Sequence, residues 1–218
     1  MAPAFEKPYW EDHWQQAAGC PRGHEVPPNP HLEREVGGLT PATALDAGCG
    51  EGAEAIWLAA KGWRVTAADI SAEALTRAVG RAAREGGNAH GIQWVEADVS
   101  DWEPGERYDL VTTHYAHPAM PQLAFYERLA GWVAPGGTLL IVGHRHEGSG
   151  HGDGHGDGGH DPGHHPPEEV SVTAASVTGR LDPVEWRVVT ADEPSRTVTD
   201  GAGRTVTLAD VVVRAVRA

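Results

Sequence analysis

The stretch "ALDAGCGEGAEAIWLAA", residues Ala44 to Ala60, decides the fold. An apolar run ends at alternating glycines, and a segment of helical periodicity follows and stops before Gly62. A strand that enters a glycine-rich turn and then a helix exposes free backbone N–H groups and the positive end of a helix dipole to a ligand. Glycine also allows a close approach that a Cβ would block. The order of these features predicts the first strand–turn–helix unit of a nucleotide-binding α/β domain.

Apolar runs and helical segments alternate along the rest of the chain. The predicted strands cover residues 43–48, 63–70, 92–99, 108–114 and 137–144, and the predicted helices cover 53–61, a segment capped by Ser71, and 118–133. Alternation of this kind is typical of a doubly wound, mostly parallel α/β sheet with helices on both faces. The segments "VEWRVVTADE" and "RTVTLADVVVRAV" around "DGAG" predict an antiparallel hairpin at the edge, giving seven strands.

Composition limits the partners and the compartment. The 218 residues suit one domain, residues 1–218, and 17 Lys and Arg against 31 Asp and Glu give a net charge of -14. Such a charge repels nucleic acid. Only two cysteines, Cys20 and Cys49, occur, and neither a signal peptide nor a membrane-spanning run is found. We predict a cytoplasmic protein without nucleic acid or membrane partners; the sequence does not specify an oligomeric state.

Asp46 selects among nucleotide ligands. Its carboxylate precedes the first glycine by two residues, where it would repel a dinucleotide pyrophosphate and attract an ammonium group. The glycine pattern alone is weak evidence for a dinucleotide site. S-adenosylmethionine (SAM) has an amino-acid end, a sulfonium and a ribose whose hydroxyls need an acceptor. Asp69, at the end of the next strand, is placed to accept them.

Four motifs in order resemble those of the class I SAM-dependent methyltransferases, which have a Rossmann-like fold. These motifs are "LDAGCGEG", "AADIS", "EADVSDW" and "YDLVTTHYAHP". The resemblance implies SAM as cofactor, S-adenosylhomocysteine (SAH) as product and a small-molecule methyl acceptor. It places the methionine end at Asp46, Gly48, Cys49 and Gly50, the ribose at Asp69, and the adenine at Ile70, Asp98 and Val99.

The N-terminal segment "YWEDHW" places Trp10 and Trp14 one helical turn apart. This spacing is similar to the opening helix of the thiopurine S-methyltransferase and tellurite-resistance methyltransferase groups, where aromatic residues cover the cofactor. Two tryptophans at this spacing also simply pack a helix onto a domain, and both interpretations stay open. Asn29 as cap and Pro30 as first residue predict a second helix.

Methyl transfer from a sulfonium is an in-line displacement that proximity and desolvation accelerate. A thiolate, selenide or reduced tellurium species needs no base, whereas an alcohol or phenol does. His114 and His117 are candidate bases, and Tyr115 is a candidate contact for the sulfonium through its ring or hydroxyl. We predict a soft S, Se or Te acceptor; an N- or O-methyltransferase that uses His114 as base is the alternative.

Residues 144–169 form a His-, Gly- and Asp-rich insertion after the fifth strand, with almost nothing to bury. His151, His155, His160 and His164 predict loose affinity for a transition metal without a closed site. A tolerated hydrophilic loop and a lid are the other interpretations, and His144 and His146 are close enough to the strand end to reach the crevice. A metal-binding protein on a non-catalytic scaffold and an NAD-dependent oxidoreductase are the competing functions.

Overall fold

A computed structural model describes residues 5–18, 27–85, 91–145, 172–199 and 205–218. Its centre is one twisted sheet of eight strands. These are β1 (Thr43–Ala47), β2 (Arg64–Asp69), β3 (Ile92–Glu96), β4 (Tyr108–His114), β5 (Val133–His144), β6 (Trp186–Asp192), β7 (Ser195–Thr199) and β8 (Thr205–Arg217). The order across the sheet is β3-β2-β1-β4-β5-β8-β6, and β7 pairs with β8.

The first five strands are parallel, and β8 runs antiparallel to β5, β6 and β7. The doubly wound, mostly parallel α/β fold predicted from the sequence is therefore confirmed, with its antiparallel hairpin next to β5. Strands β1, β2, β4 and β5 are rich in apolar residues because both faces of a parallel sheet are covered. Their carboxyl ends meet at one edge, the usual place for a ligand crevice in such sheets.

Helices cover both faces of the sheet. They are α1 (Lys7–Ala18), α2 (Pro30–Val36), α3 (Ala53–Ala60), α4 (Ala72–Glu85), α5 (Gln122–Gly131) and α6 (Ala174–Thr178). Apolar residues of α2, α3 and α4 share one buried cluster, and those of α5 and α6 share the cluster on the other face. Among these described helices, none combines the length and the apolar character that crossing a membrane requires.

Two boundaries differ from the prediction. The first hairpin strand, predicted over residues 184–193, is β6, and the segment after Pro194 adds the unpredicted strand β7, so the sheet has eight strands rather than seven. Helix α5 begins at Gln122 and ends at Gly131, whereas residues 118–133 were predicted to be helical. Val133 instead begins β5 and pairs with Tyr108. The predicted caps are confirmed: the Asn29 Oδ1 accepts from the His31 amide at 3.0 Å, and the Ser71 hydroxyl accepts from the Ala74 amide at 3.2 Å.

Candidate active site

A cleft of about 740 Å³, including its open mouth, lies at the carboxyl ends of the parallel strands. This volume is within the usual range for small-molecule sites, about 300–1,000 Å³. The predicted site residues that line it are Trp10, Trp14, Gly48, Cys49, Gly50, Asp69, Ile70, Asp98, Val99, His114, Tyr115 and His117. Asp46 lies outside this lining and is buried, with 1 % of its surface exposed. The structure therefore brings together residues from five separate segments of the chain.

The backbone of the glycine turn is occupied by bonds within the protein. The amides of Gly48 and Cys49 both donate to the Ala68 carbonyl, at 2.8 and 3.0 Å. The Gly50 amide donates to Asp69 Oδ2 at 2.8 Å. The expectation of free N–H groups is wrong for these three residues, because the turn folds back against the end of β2. A pyrophosphate would not find these donors here, which disfavours a dinucleotide.

The glycines of the turn allow other parts of the protein to approach it. Gly48 has a φ of +75°, and a Cβ at this position would stand 2.3 Å from the Cβ of Ala116. Gly50 has a φ of +51°, and its Cβ would stand 3.1 Å from Cζ2 of Trp14. Glycine is thus required at Gly48 by the segment after β4, whereas at Gly50 the left-handed backbone favours glycine and a Cβ would be in tight contact with the tryptophan of α1.

Three carboxylates surround the turn. Burial raises the pKa of Asp46, and the charges of Glu54 and Asp69 raise it further; its Oδ2 has no hydrogen-bond partner among the described residues. Burial also raises the pKa of Asp69, against the amides of Ser71 and Gly50 that donate to it. A cationic ligand would stabilise all three ionised groups. The ammonium and sulfonium of SAM supply such charge, so the residues present fit this cofactor.

Glu54 is a cleft residue that the sequence analysis missed. It lines the cleft, and its Oε1 accepts from the Asn29 amide at 3.0 Å, which connects α3 to the segment before α2. An acid in the first turn of a helix is common because it interacts favourably with the helix dipole. The position of Glu54 in the sequence therefore does not distinguish it from an ordinary acid in the first turn of a helix.

Helix α1 is attached to the rest of the protein beside the cleft. The carboxylate of Glu11 accepts from the Ser71 hydroxyl at 3.0 Å and from the amides of Ala72 and Glu73 at 2.9 and 3.3 Å. It thereby satisfies amides at the N-terminus of α4 that have no partner within that helix. Trp10 and Trp14 line the cleft from this anchored helix, so the helix both packs onto the domain and closes one side of the cleft.

The histidines at the end of β4 and β5 are neutral rings. Burial lowers the pKa of His114, and neither of its shielded ring nitrogens has a hydrogen-bond partner within the described residues. Burial also lowers the pKa of His117. Burial and the neighbouring His117 lower the pKa of His144 to about 4, and these two rings stack with centroids 5.4 Å apart. All three imidazoles are neutral at neutral pH and can accept a hydrogen bond there, and His144 packs against Tyr115 and His117 beside the cleft.

The hydroxyl of Tyr115 belongs to a buried polar network. It donates to Asp210 Oδ1 at 2.7 Å and accepts from Arg196 and Asn29. Burial raises the pKa of Tyr115 to about 12, so this phenol is protonated and does not act as a base. The sequence analysis missed Asp210 and Arg196, because a pairing over 95 residues of chain leaves no local pattern.

The predicted metal ligands lie in a part of the chain that the structure does not describe. His151, His155, His160 and His164, as well as His146 and Cys20, lie outside the described residues. Within the described ranges, no three His, Cys, Asp or Glu residues form a group that could hold a metal ion. Cys49 is a free, buried cysteine, and burial raises its pKa, so it remains a thiol.

Residues 44–137 match the family model described as "Methyltransferase domain". This part of the chain is therefore similar to a methyltransferase domain. An uncharacterized methyltransferase of Mycobacterium tuberculosis is 42 % identical over 100 residues, which is 45 % of this chain and 48 % of that protein. The match therefore spans about half the length of this curated relative. "Probable thiol methyltransferase 2" of Arabidopsis thaliana is 30 % identical over 135 residues, covering 60 % of this chain and 59 % of that protein.

A solved structure has the same fold. Magnesium protoporphyrin IX methyltransferase from Synechocystis, with bound SAM, matches with a TM-score of 0.63 and 16 % identity, covering 100 % of this chain and 99 % of that protein. This match shows that the glycine turn, the strand ends and the helices form the fold of that methyltransferase. The roles of the individual cleft residues stay predictions.

Proposed function

We propose that this protein transfers a methyl group from SAM to a small-molecule acceptor, and that the accepting atom is a soft sulfur, selenium or tellurium nucleophile. The observation that carries the cofactor assignment is the group of three carboxylates at the glycine turn, which needs a cationic ligand. The methyltransferase domain match over residues 44–137 supports the same assignment.

In this proposal, different cleft residues bind different parts of the cofactor. Asp46 and Glu54 stabilise the ammonium group, and Asp69 accepts hydrogen bonds from the ribose. Asp98 and Val99 contact the adenine, while Trp14 covers the opening from α1. SAM, when bound, supplies a methyl group on a positively charged sulfur, and the buried acids favour that charge over the neutral SAH.

The acceptor end of the cleft favours a nucleophile that needs no strong base. His114 has a pKa below the usual value because it is buried, and no described carboxylate orients its ring. A weak, unassisted base does not deprotonate an alcohol, whereas a thiol with a pKa near 8.5 is ionised to a few per cent at pH 7 by itself, and the thiolate is a strong nucleophile. Similarity to "Probable thiol methyltransferase 2" agrees with a sulfur acceptor.

An N- or O-methyltransferase is the second candidate, and one observation favours it. Neither ring nitrogen of His114 has a partner among the described residues, and the residue lines the cleft, so its imidazole is a candidate base for a bound acceptor. A general base of this kind typically contributes about 10²–10⁴-fold to a rate. The two candidates therefore predict very different consequences of removing this ring.

The test uses SAM with an isotopically labelled methyl group and a panel of thiols, selenite, tellurite, amines and phenols. Asp46→Ala is the cofactor-site variant, and Asp109→Ala, at the opposite end of the sheet, is the matched control. Label on a thiol, selenium or tellurium compound that disappears only in Asp46→Ala supports the proposal. Label confined to amines or phenols, with its loss in His114→Ala, moves the assignment to the second candidate.

The proposal also includes the compartment and the partners. We place the enzyme in the cytoplasm, without nucleic acid as substrate. None of the described residues that line the cleft is Lys or Arg, and the chain has a net charge of -14. A phosphate backbone would be repelled from this site. Measurement of binding to duplex DNA at low salt tests this part, and saturable micromolar binding would contradict it.

A further inference from the structure

The hydroxyl of Tyr115 has no bonding capacity left for a ligand. It donates to Asp210 Oδ1 at 2.7 Å, and it accepts from Arg196 Nη2 at 3.1 Å and from Asn29 Nδ2 at 3.3 Å. A phenol has one donor hydrogen and two acceptor lone pairs, so all three positions are used. Tyr115 nevertheless lines the cleft. The group that it can offer to a ligand is therefore its aromatic ring.

Asp210 is the centre of the network that holds this hydroxyl. It is fully buried, and its Oδ2 also contacts His31 Nε2 at 3.0 Å and Arg196 Nε at 2.7 Å. Its partners come from α2, β7 and the end of β4. Fully satisfied buried networks of this kind fix side chains in one geometry, and loss of a single partner is costly.

The network also reaches the acidic end of the cleft. The side chain of Asn29 donates to the Tyr115 hydroxyl, while its backbone amide donates to Glu54 Oε1 at 3.0 Å. Next to Tyr115, Ala116 packs directly against Gly48 of the glycine turn. Tyr115 is thus fixed between the carboxylates predicted to hold the methionine end and the strand end predicted to face the acceptor.

The backbone of Tyr115 is itself held in an unusual conformation. Its φ is +55°, a region that non-glycine residues seldom adopt and that costs about 1–3 kcal/mol. Such residues persist where the surroundings determine them, and they concentrate at functional sites. The ring packs against His144, with centroids 4.7 Å apart. The strained backbone, the saturated hydroxyl and the packed ring all fix one orientation of the side chain.

We propose that Asp210 is a positioning residue that acts through the Tyr115 hydroxyl and holds the ring of Tyr115 against the sulfonium of SAM. This inference rests on the proposed function for its cofactor but not on any choice of acceptor. An aromatic face attracts a sulfonium cation more strongly than the neutral thioether of SAH, whose sulfur–aromatic contact carries no net charge. The ring would therefore favour the substrate form of the cofactor over the product form and assist product release.

The test measures the dissociation constants of SAM and SAH by calorimetry, so it needs no acceptor. The wild-type protein is compared with Tyr115→Leu, which removes the ring, and with Tyr115→Phe and Asp210→Asn, which remove the tether. Tyr108→Phe is the matched control, since it removes a buried hydroxyl bonded to Thr66 at the opposite end of β4. We expect Tyr115→Leu to reduce the preference for SAM over SAH about fivefold, as loss of a cation–π contact predicts.

We expect Tyr115→Phe and Asp210→Asn each to reduce that preference about threefold, and the double variant to lose no more than the worse single variant. Tyr108→Phe should keep the wild-type ratio. A wild-type ratio in Tyr115→Phe would overturn the role of the network, and a wild-type ratio in Tyr115→Leu would overturn the role of the ring. If Asp210→Asn does not fold, Tyr115→Phe decides alone, because it removes only the hydroxyl. A wild-type protein that binds neither ligand refutes the proposed function itself.

Discussion

Substitution of Gly48 by alanine tests the packing of the glycine turn against the end of β4. The left-handed backbone, with φ at +75°, costs alanine about 1–2 kcal/mol. The new Cβ would stand 2.3 Å from the Cβ of Ala116, and overpacking of this kind costs about 1–3 kcal/mol more. We expect Gly48→Ala to lower the free energy of unfolding by about 2–5 kcal/mol.

Gly136 is the matched control. Its φ is +76°, almost the same as that of Gly48, but an added Cβ would have no atom of the described residues within 4 Å. Gly136→Ala should therefore lower the free energy of unfolding only by the cost of the left-handed backbone, about 1–2 kcal/mol. The difference between the two variants measures the clash alone.

A third variant removes the clash from the other side. In Gly48→Ala/Ala116→Gly the overlapping Cβ of Ala116 is absent, so part of the lost stability should return, about 1–3 kcal/mol less any cost of the new glycine. Urea denaturation followed by tryptophan fluorescence gives the free energy of unfolding of each variant. Equal losses in Gly48→Ala and Gly136→Ala, or no recovery in the double variant, would refute the reasoning.

Three further predictions concern the cleft. Asp46→Asn should weaken SAM binding yet raise the free energy of unfolding at neutral pH. Burial raises the pKa of Asp46 in the folded protein, so the stability that this carboxyl contributes is present at low pH and lost as the pH rises. The urea midpoints of the wild-type protein and of Asp46→Asn should therefore converge on acidification. Glu11→Gln should loosen α1 from α4 and raise the SAM dissociation constant severalfold, with an unchanged urea midpoint of the sheet; an unchanged dissociation constant would contradict the anchoring role. Deletion of residues 148–163 should leave methyl transfer to the accepted thiol intact, and a folded but inactive deletion would disprove this expectation.

The sheet could be predicted from the sequence because each strand has a local pattern of apolar residues. The apolar runs at β1, β2 and β4 are bounded by glycines, acids or prolines, and the ends of the observed strands agree with them within one residue. The predicted cleft residues between Gly48 and His117 were also found together, since they follow strand ends and strand ends meet at one edge. Strand β7 was not predicted, because its sequence "SRTVT" contains a single apolar residue and so has no clear apolar alternation.

The polar network could not be predicted. Asn29, Tyr115, Arg196 and Asp210 are separated by long stretches of chain, and each has an ordinary local role: a helix cap, a strand end or a hairpin residue. Only the three-dimensional arrangement shows that the other three residues all form hydrogen bonds with the hydroxyl of Tyr115. The turn amides were mispredicted for a related reason, because their partners lie on β2 rather than on a ligand.

The histidine-rich segment begins and ends at a single point of the fold. Arg145 and Val172 form an isolated parallel bridge, and the Val172 amide donates to the His144 carbonyl at 3.0 Å. The sheet therefore closes this loop by itself, whatever the loop contains, and each doubling of its length costs only about 0.6 kcal/mol. This position should therefore tolerate insertion, exchange or deletion of sequence. A reporter or an affinity module placed between residues 146 and 171 would lie within a few residues of His144, beside the cleft.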